Sequence, residues 1–332
     1  MPNCYNGATS RRRSCTVDPS RTAYFDGRFQ PMADCRISIM THTFLYGTGV
    51  FEGIRGYWSD ETEQMNLFRC REHFERLKLS ASILRMTLPA PADELCELAA
   101  ELCRRNGDRQ DVYIRPQAYL ADEVIGPELI NRTKAFFIFS LPFGKYLEKT
   151  TGMHCGTSAW RRVNDNMIPA RAKVTGIYVN SSLARTDAME NGFDEAIMLN
   201  NAGYVAEGSS ENLFIVKNGR LITPANSDDI LEGITRGSLM ELARQELGVE
   251  TEVRHIARTE LYTADECFLC GTGAEVTPVT MIDHRPIGSG EVGELTTSLR
   301  ATFFDVVRGK RPSYAHWLYP VAHRAPAFAT TS

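Results

Sequence analysis

The chain has 332 residues, a formal net charge of −4, 43% hydrophobic and 23% charged residues, which is enough for two domains with cores of their own. No dense Lys/Arg run follows Arg11-Arg12-Arg13, which argues against a nucleic-acid or anionic-membrane surface, and no apolar run approaches the roughly 18 residues of a membrane span. Nine scattered cysteines, mostly among apolar residues, fit reduced thiols, so a soluble, cytoplasmic protein is expected.

Residues 1–22 read as a disordered tail rather than an export signal, because the arginine run lies in a polar stretch with no apolar segment after it. Tyr24-Phe25-Asp26-Gly27-Arg28-Phe29 sets an Asp-Gly turn between aromatic positions, the signal of a β-hairpin. Residues 42–57 mix four glycines with bulky side chains, which suggests backbone in close approach to something. A charged turn at 59–63 leads to a strand at 65–68. Helical spacing follows at 72–86 (Phe74, Leu77, Ala81, Leu84) and 92–105 (Leu95, Leu98, Ala99, Leu102). Strands are expected at 112–120 and 135–141. A polar connector, 144–152, then divides a small N-terminal domain, 23–143, from a large C-terminal domain, 153–321.

The second domain reads as a strand at 153–160, a segment around Lys173, and a helix ending near Asn191-Gly192. Strands at 195–199, 204–208 and 212–216 follow, with a hairpin turn at Asn218-Gly219. A helix over 237–247 stops at Gly248, and strands at 266–270 and 276–282 precede a last helix over 293–308. Residues 322–332 read as a tail. The expected architecture is α+β, with two domains, each a mostly antiparallel sheet with flanking helices. Cys267 and Cys270 have C-x-x-C spacing but fall in a strand, where residues three apart point to opposite faces, so no metal site is expected.

Lys173 is one of only seven lysines and stands in Ala170-Arg171-Ala172-Lys173-Val174-Thr175-Gly176, among small and apolar residues ahead of a helix. An amine of lowered pKa can form a Schiff base there, which a guanidinium cannot. The plain alternative is a snorkelling lysine at a helix start. An aldehyde cofactor such as pyridoxal phosphate would also need a phosphate cradle and a carboxylate for its ring nitrogen. Gly233-Ile234-Thr235 at a helix start offers free N–H groups and a hydroxyl, though a plain threonine N-cap has the same appearance. Gly271-Thr272-Gly273-Ala274 offers turn amides or an ordinary hairpin. Glu207 and Glu211, in Glu207-Gly208-Ser209-Ser210-Glu211, both suit a ring-nitrogen partner, and spacing does not choose between them. A semi-buried carboxylate there must have a partner of some kind.

Read together, these segments carry a resemblance. Tyr46-Gly47-Thr48-Gly49-Val50-Phe51-Glu52-Gly53-Ile54-Arg55, Arg71-Glu72-His73-Phe74-Glu75-Arg76-Leu77, Tyr113-Ile114-Arg115-Pro116, Ala172-Lys173, Glu207-Gly208-Ser209-Ser210-Glu211-Asn212-Leu213-Phe214, Gly233-Ile234-Thr235-Arg236 and Gly271-Thr272-Gly273-Ala274-Glu275-Val276 occur in that order. The chain resembles fold-type IV pyridoxal-phosphate enzymes, specifically the branched-chain amino acid aminotransferases, over about residues 24–310. The resemblance implies Lys173 as the Schiff-base lysine and proton shuttle, and Glu207 as the partner of the ring nitrogen. It implies Arg76, Gly233, Ile234, Thr235 and Thr272 around the phosphate, and Tyr178 beside the cofactor oxygen. Tyr113, Gly273 and Ala274 would receive the substrate α-carboxylate, and Tyr46, Phe51, Arg115 and Tyr146 would shape the side-chain pocket.

The implied reaction is ping-pong transamination between a branched-chain L-amino acid and 2-oxoglutarate, in a homodimer or higher homo-oligomer. Two features depart from the family pattern: Thr-Gly-Ala stands where many members have Thr-Ala-Ala, and Phe143 where some have tryptophan. They leave the side-chain preference open. A D-amino-acid or amine transaminase, or an aminodeoxychorismate-type lyase, is the alternative within the fold.

Overall fold

The computed structural model describes residues 18, 20–144 and 151–321; the expected tails at 1–22 and 322–332, and the connector at 144–152, lie largely outside them. The first of two sheets has eight strands, all pairings antiparallel, in the order Leu318–Val321, Gln64–Phe68, Ile54–Ser59, Val112–Leu120, Lys134–Pro142, Thr22–Phe25 and Arg28–Pro31, with Gly49–Phe51 also on Val112–Leu120. Asp26 and Gly27 take the left-handed backbone of the first hairpin turn. Along Val112–Leu120 buried and half-buried residues alternate, as a sheet with one face on a core requires.

That core is closed by helices α2 (Cys70–Ile83) and α3 (Ala92–Asn106), which follow a short α1 (His42–Tyr46). Phe74, Leu77 and Ala81 of α2 pack with Leu95, Ala99 and Leu102 of α3; Leu84 and Leu98, at the edge of the apolar stripes, are only partly buried. Each fully buried Phe or Leu contributes roughly 1.5–3 kcal/mol relative to exposure. Helix α3 stops where Gly107 turns left-handed and its N–H donates to Cys103 O.

The second sheet has nine strands, in the order Val205–Gly208, Glu195–Leu199, Met153–Arg161, Glu275–Ile282, Glu266–Gly271, Asn212–Lys217, Arg220–Thr223 and Thr251–Val253, with Arg285–Pro286 on Glu275–Ile282. Met153–Arg161 runs parallel to both its neighbours, and Thr251–Val253 to Arg220–Thr223; the remaining pairs are antiparallel. Glu195–Leu199 is buried along its whole length, being covered on one side by α4 (Tyr178–Glu190), whose Ala184 and Ala188 pack against Ala196 and Met198. Helices α5 (Ile234–Leu247) and α6 (Glu294–Val307) cover a further core containing Phe214, Phe268 and Phe303.

The α+β architecture of two mostly antiparallel sheets with flanking helices is the one expected. Cys267 and Cys270 enter different cores on opposite faces of their strand. Among the described residues no group of three or more His, Cys, Asp and Glu could hold a metal, and no helix is long and apolar enough to cross a membrane.

Three differences from the sequence reading have local causes. Helix α5 begins at Ile234, a turn earlier than the apolar periodicity shows, because Gly233 serves as its N-cap. Five residues of the glycine-rich stretch coil into α1, which ends where Gly47 goes left-handed (φ 69°). There a Cβ would stand 2.9 Å from Gly176 Cα, so two glycines let the α1 turn lie against the segment that follows Lys173. The last strand, Leu318–Val321, pairs with Gln64–Phe68 in the first sheet, although its position in the chain groups it with the second.

Candidate active site

Lys173 sits where the two sheets meet. Its N–H donates to Ser80 Oγ of α2 at 3.1 Å, and its carbonyl accepts from the Phe51 N–H at 3.1 Å. Val174 bridges Val50, and Ala172 and Val174 are part of the first core. The backbone is thus pinned by the first unit while the chain goes on into α4 of the second. From that base Nζ reaches Tyr178 in the first turn of α4 and donates to its hydroxyl at 2.6 Å. Nζ lies 5.1 Å from the Phe51 ring centre, and the Phe51 and Tyr178 rings are 4.9 Å apart. A snorkelling lysine would send its head to water; this one keeps it in a cavity.

The cavity has a volume of about 280 Å³. It is lined by Lys173, Tyr178, Glu207, Arg76, Gly233, Ile234, Thr235, Thr272, Gly273, Ala274, Phe51, Tyr113 and Arg115 among others, so one space holds nearly every site residue that the sequence points to. Tyr46 stands apart: it is 38% exposed, its ring packs at a tilt 4.8 Å from that of His42, and it accepts a hydrogen bond from Gly126 N–H at 3.1 Å. Tyr146 lies outside the described residues.

Glu207 is 3% exposed on strand Val205–Gly208. Arg162 Nε lies 2.8 Å from Oε1, while Oε2 accepts from Asn212 Nδ2 at 3.0 Å and from Leu231 N–H at 3.2 Å. Burial pushes its carboxyl upward, against the pull of Arg162. Glu211 also borders the cavity, but its oxygens are taken by the Ser210 N–H and hydroxyl at 3.0 and 2.8 Å. Burial and the neighbouring Glu195 push it to about 7. The two carboxylates that spacing leaves equal are therefore unlike: one has an arginine counter-ion, the other a second acid.

Helix α5 starts with its first N–H groups uncapped, since Gly233 brings no side chain and makes no capping bond. Thr235 is therefore inside the helix and not its N-cap. An anion at the cavity end of α5 finds free amides, the positive end of the helix dipole and the buried Thr235 hydroxyl. Any side chain at 233 would have to displace Asn212, because a Cβ would fall 1.9 Å from its Oδ1.

Arg76 faces the same region, and on a helix pattern alone it reads as a solvated charge. In the fold its side chain is 12% exposed. Nε and Nη2 clasp Glu52 at 2.7 and 2.9 Å, and Nη1 donates to Glu232 O at 2.7 Å. His73 Nδ1 shares Glu52 at 2.7 Å. Burial works against the Glu52 charge, yet Arg76 and His73 together outweigh it and hold that carboxyl well below its usual range.

Arg162, Asn212, Glu52 and His73 are the functional neighbours that sequence reasoning misses. Arg162 follows Arg161 at a strand end, where charge normally means solvent; the one available signal is that a buried Glu207 demands a cation. Elsewhere on the cavity wall Arg115 Nε donates to the Tyr113 hydroxyl at 2.9 Å, and the guanidinium carbon lies 4.1 Å from the Phe51 ring centre, making a wall that is aromatic with one cation in it.

Residues 49–282 match the model of the family described as Amino-transferase class IV. A probable branched-chain-amino-acid aminotransferase of Aquifex aeolicus is 52% identical over 299 residues, covering 90% of this chain and 96% of that protein. The branched-chain aminotransferase of the archaeon Thermoproteus uzoniensis, solved with norvaline, superimposes with a TM-score of 0.87 at 42% identity, over 91% of this chain and 100% of that one. The PLP-form (holo-form) of the branched-chain amino acid aminotransferase of Thermobaculum terrenum gives a TM-score of 0.87 at 39% identity, over 92% and 99%. The chain belongs to the class IV amino-transferases and, within them, to the branched-chain-amino-acid aminotransferase family.

Proposed function

We propose that this protein uses pyridoxal phosphate to move an amino group between a branched-chain L-amino acid and 2-oxoglutarate in two successive half-reactions. The observation that carries the proposal is that the Lys173 amine, the buried Glu207 carboxylate and the uncapped start of α5 border one cavity. Those groups fit the cofactor: an amine for its aldehyde, a carboxylate for its ring nitrogen, amides and Arg76 for its phosphate. When bound, it supplies an aldehyde that joins amines and a ring that accepts electron density as the substrate's α-proton leaves.

The chain's own residues do the rest. Lys173 Nζ is the base that takes the α-proton and returns it, with the Tyr178 hydroxyl orienting it. Glu207, aligned by Arg162, Asn212 and Leu231, holds a proton at a ring nitrogen, and its upward-shifted carboxyl suits that sharing. The Thr272-Gly273-Ala274 turn and the Tyr113 hydroxyl receive the α-carboxylate. Phe51 and Tyr113 present aromatic surface to an aliphatic side chain, and the Arg115 guanidinium lets the second carboxylate of glutamate in.

A homodimer is part of the same reading. Ile37, Ile39, Phe44, Ile125 and Val179 are 53, 78, 67, 75 and 66% exposed, and Ile37, Phe44 and Val179 line one apolar groove. A second copy of the chain covering this face accounts for that exposure.

Purified protein should be yellow. L-leucine should bleach the visible band and 2-oxoglutarate restore it, with 4-methyl-2-oxopentanoate and glutamate as products. Turnover of D-alanine or aminodeoxychorismate alone, or a band that no amino donor bleaches, would refute the proposal.

A further inference from the structure

Glu275 closes the turn Thr272-Gly273-Ala274 with its backbone at φ 56°, in the left-handed region where a non-glycine residue is strained. It pairs with Gly271 in register, so three residues span the hairpin and the fourth takes the conformation that glycine normally supplies. A glutamate at such a position needs a side-chain reason. Its carboxylate is 9% exposed and points at the first sheet, where Arg55 Nη2 lies 3.7 Å from Oε1 and the Tyr57 hydroxyl is a close neighbour.

Arg55 is 2% exposed, donates to Gly144 O at 2.9 Å and lies 4.9 Å over the Phe143 ring; its Nε and Nη1 have no partner among the described residues. A loosely paired, nearly dry ion pair recovers little of its desolvation cost, so stability is a poor reason to keep it. Register gives a better one. Arg55 pairs with Tyr113 on the adjacent strand, so Arg55 and Tyr57 refer the turn to the wall that carries Tyr113 and Arg115. On its own side Thr277 Oγ1 donates to Ala274 O at 2.7 Å.

We propose that Glu275 is a positioning residue for substrate recognition: held by Arg55 and Tyr57 across the seam between the sheets, it sets the Thr272-Gly273-Ala274 amides at a fixed distance from Tyr113, so that turn and hydroxyl close on one α-carboxylate. This rests on the carboxylate-binding reading of that turn given above. The loss of such an anchor weakens substrate and transition state alike and shows in KM more than in kcat.

The test uses holoenzyme and 4-methylvalerate, the carbon skeleton of leucine without its amine, titrated calorimetrically. In Glu275→Gly the Kd of 4-methylvalerate and the KM for L-leucine should both rise at least tenfold while kcat falls less than threefold and the cofactor spectrum is unchanged. Glu275→Gln, which keeps the size and the Tyr57 contact, should lose less, and Arg55→Gln should follow Glu275→Gly. Glycine relieves the left-handed strain, so a purely structural role predicts that Glu275→Gly is as active and at least as stable as the wild type. A Kd within twofold of wild type in that variant, or in Glu275→Gln and Arg55→Gln together should the glycine variant not fold, overturns the inference. A wild type that neither binds 4-methylvalerate nor turns over L-leucine overturns the functional reading beneath it, and the inference with it.

Discussion

Replacing Glu207 by glutamine keeps the shape of the side chain and removes its charge, and the geometry shows what that does. Oε1 faces Arg162 Nε at 2.8 Å, and Oε2 faces Asn212 Nδ2 at 3.0 Å and Leu231 N–H at 3.2 Å. Whichever way the new amide turns, its NH2 meets a donor, and the 6%-exposed Arg162 loses its counter-ion. Breaking one member of a buried pair costs about 3–5 kcal/mol. A charge-stabilising contact removed from a water-poor site costs roughly 10²–10³ in rate. We expect single-turnover bleaching of the cofactor band by L-leucine to slow by about that factor, with a lowered Tm. Glu211→Gln should slow it less, since Glu211 spends its oxygens on Ser210. A Glu207→Gln enzyme within threefold of wild type, or a Glu211→Gln enzyme slower than it, would refute the assignment.

Lys173→Ala should reduce transamination by about 10²–10⁴ or more, checked by product formation in protein shown to be folded by circular dichroism. Gly233→Ala drives a methyl to within 1.9 Å of Asn212 Oδ1; displacing Asn212 from its two acceptors at about 1 kcal/mol each should weaken cofactor affinity on the order of 30-fold, read by fluorescence titration of the apoprotein. Glu211 changes the pH dependence of stability. Its carboxyl titrates at about 7 in the fold against an ordinary 4.5, so the folded state holds a proton that the unfolded chain releases between those values. Stability therefore falls as pH rises from 4.5 towards 7. Glu211→Gln should flatten that decline in denaturant melts taken across the window, and an unchanged slope would place the proton elsewhere.

The fold was largely legible because its signals are local. The Asp26-Gly27 turn, the apolar stripe of Phe74, Leu77 and Ala81, and the Gly248 stop each state a backbone geometry within a few residues. The site was legible wherever its residues cluster in short segments, as Gly233-Ile234-Thr235 and Thr272-Gly273-Ala274 do. It was not legible where partners come from far apart in the chain. Arg162 meets Glu207 across 45 positions of sequence, and nothing around Arg162 distinguishes it from a surface charge. Arg76 shows the same limit, since only Glu52 and Glu232 O explain why that face of α2 is not wet.

Strand Leu318–Val321 lies on the edge of the first sheet, hydrogen-bonded to Gln64–Phe68, yet it is made after every other described element. During synthesis the first sheet must wait, with Gln64–Phe68 as an open edge, until the second unit has been translated. Such an edge is a template for wrong partners. Truncating the chain just before Leu318 would therefore harm the part of the molecule farthest away in sequence, and neither half can be expressed alone without either leaving that edge bare or stranding the strand that closes it.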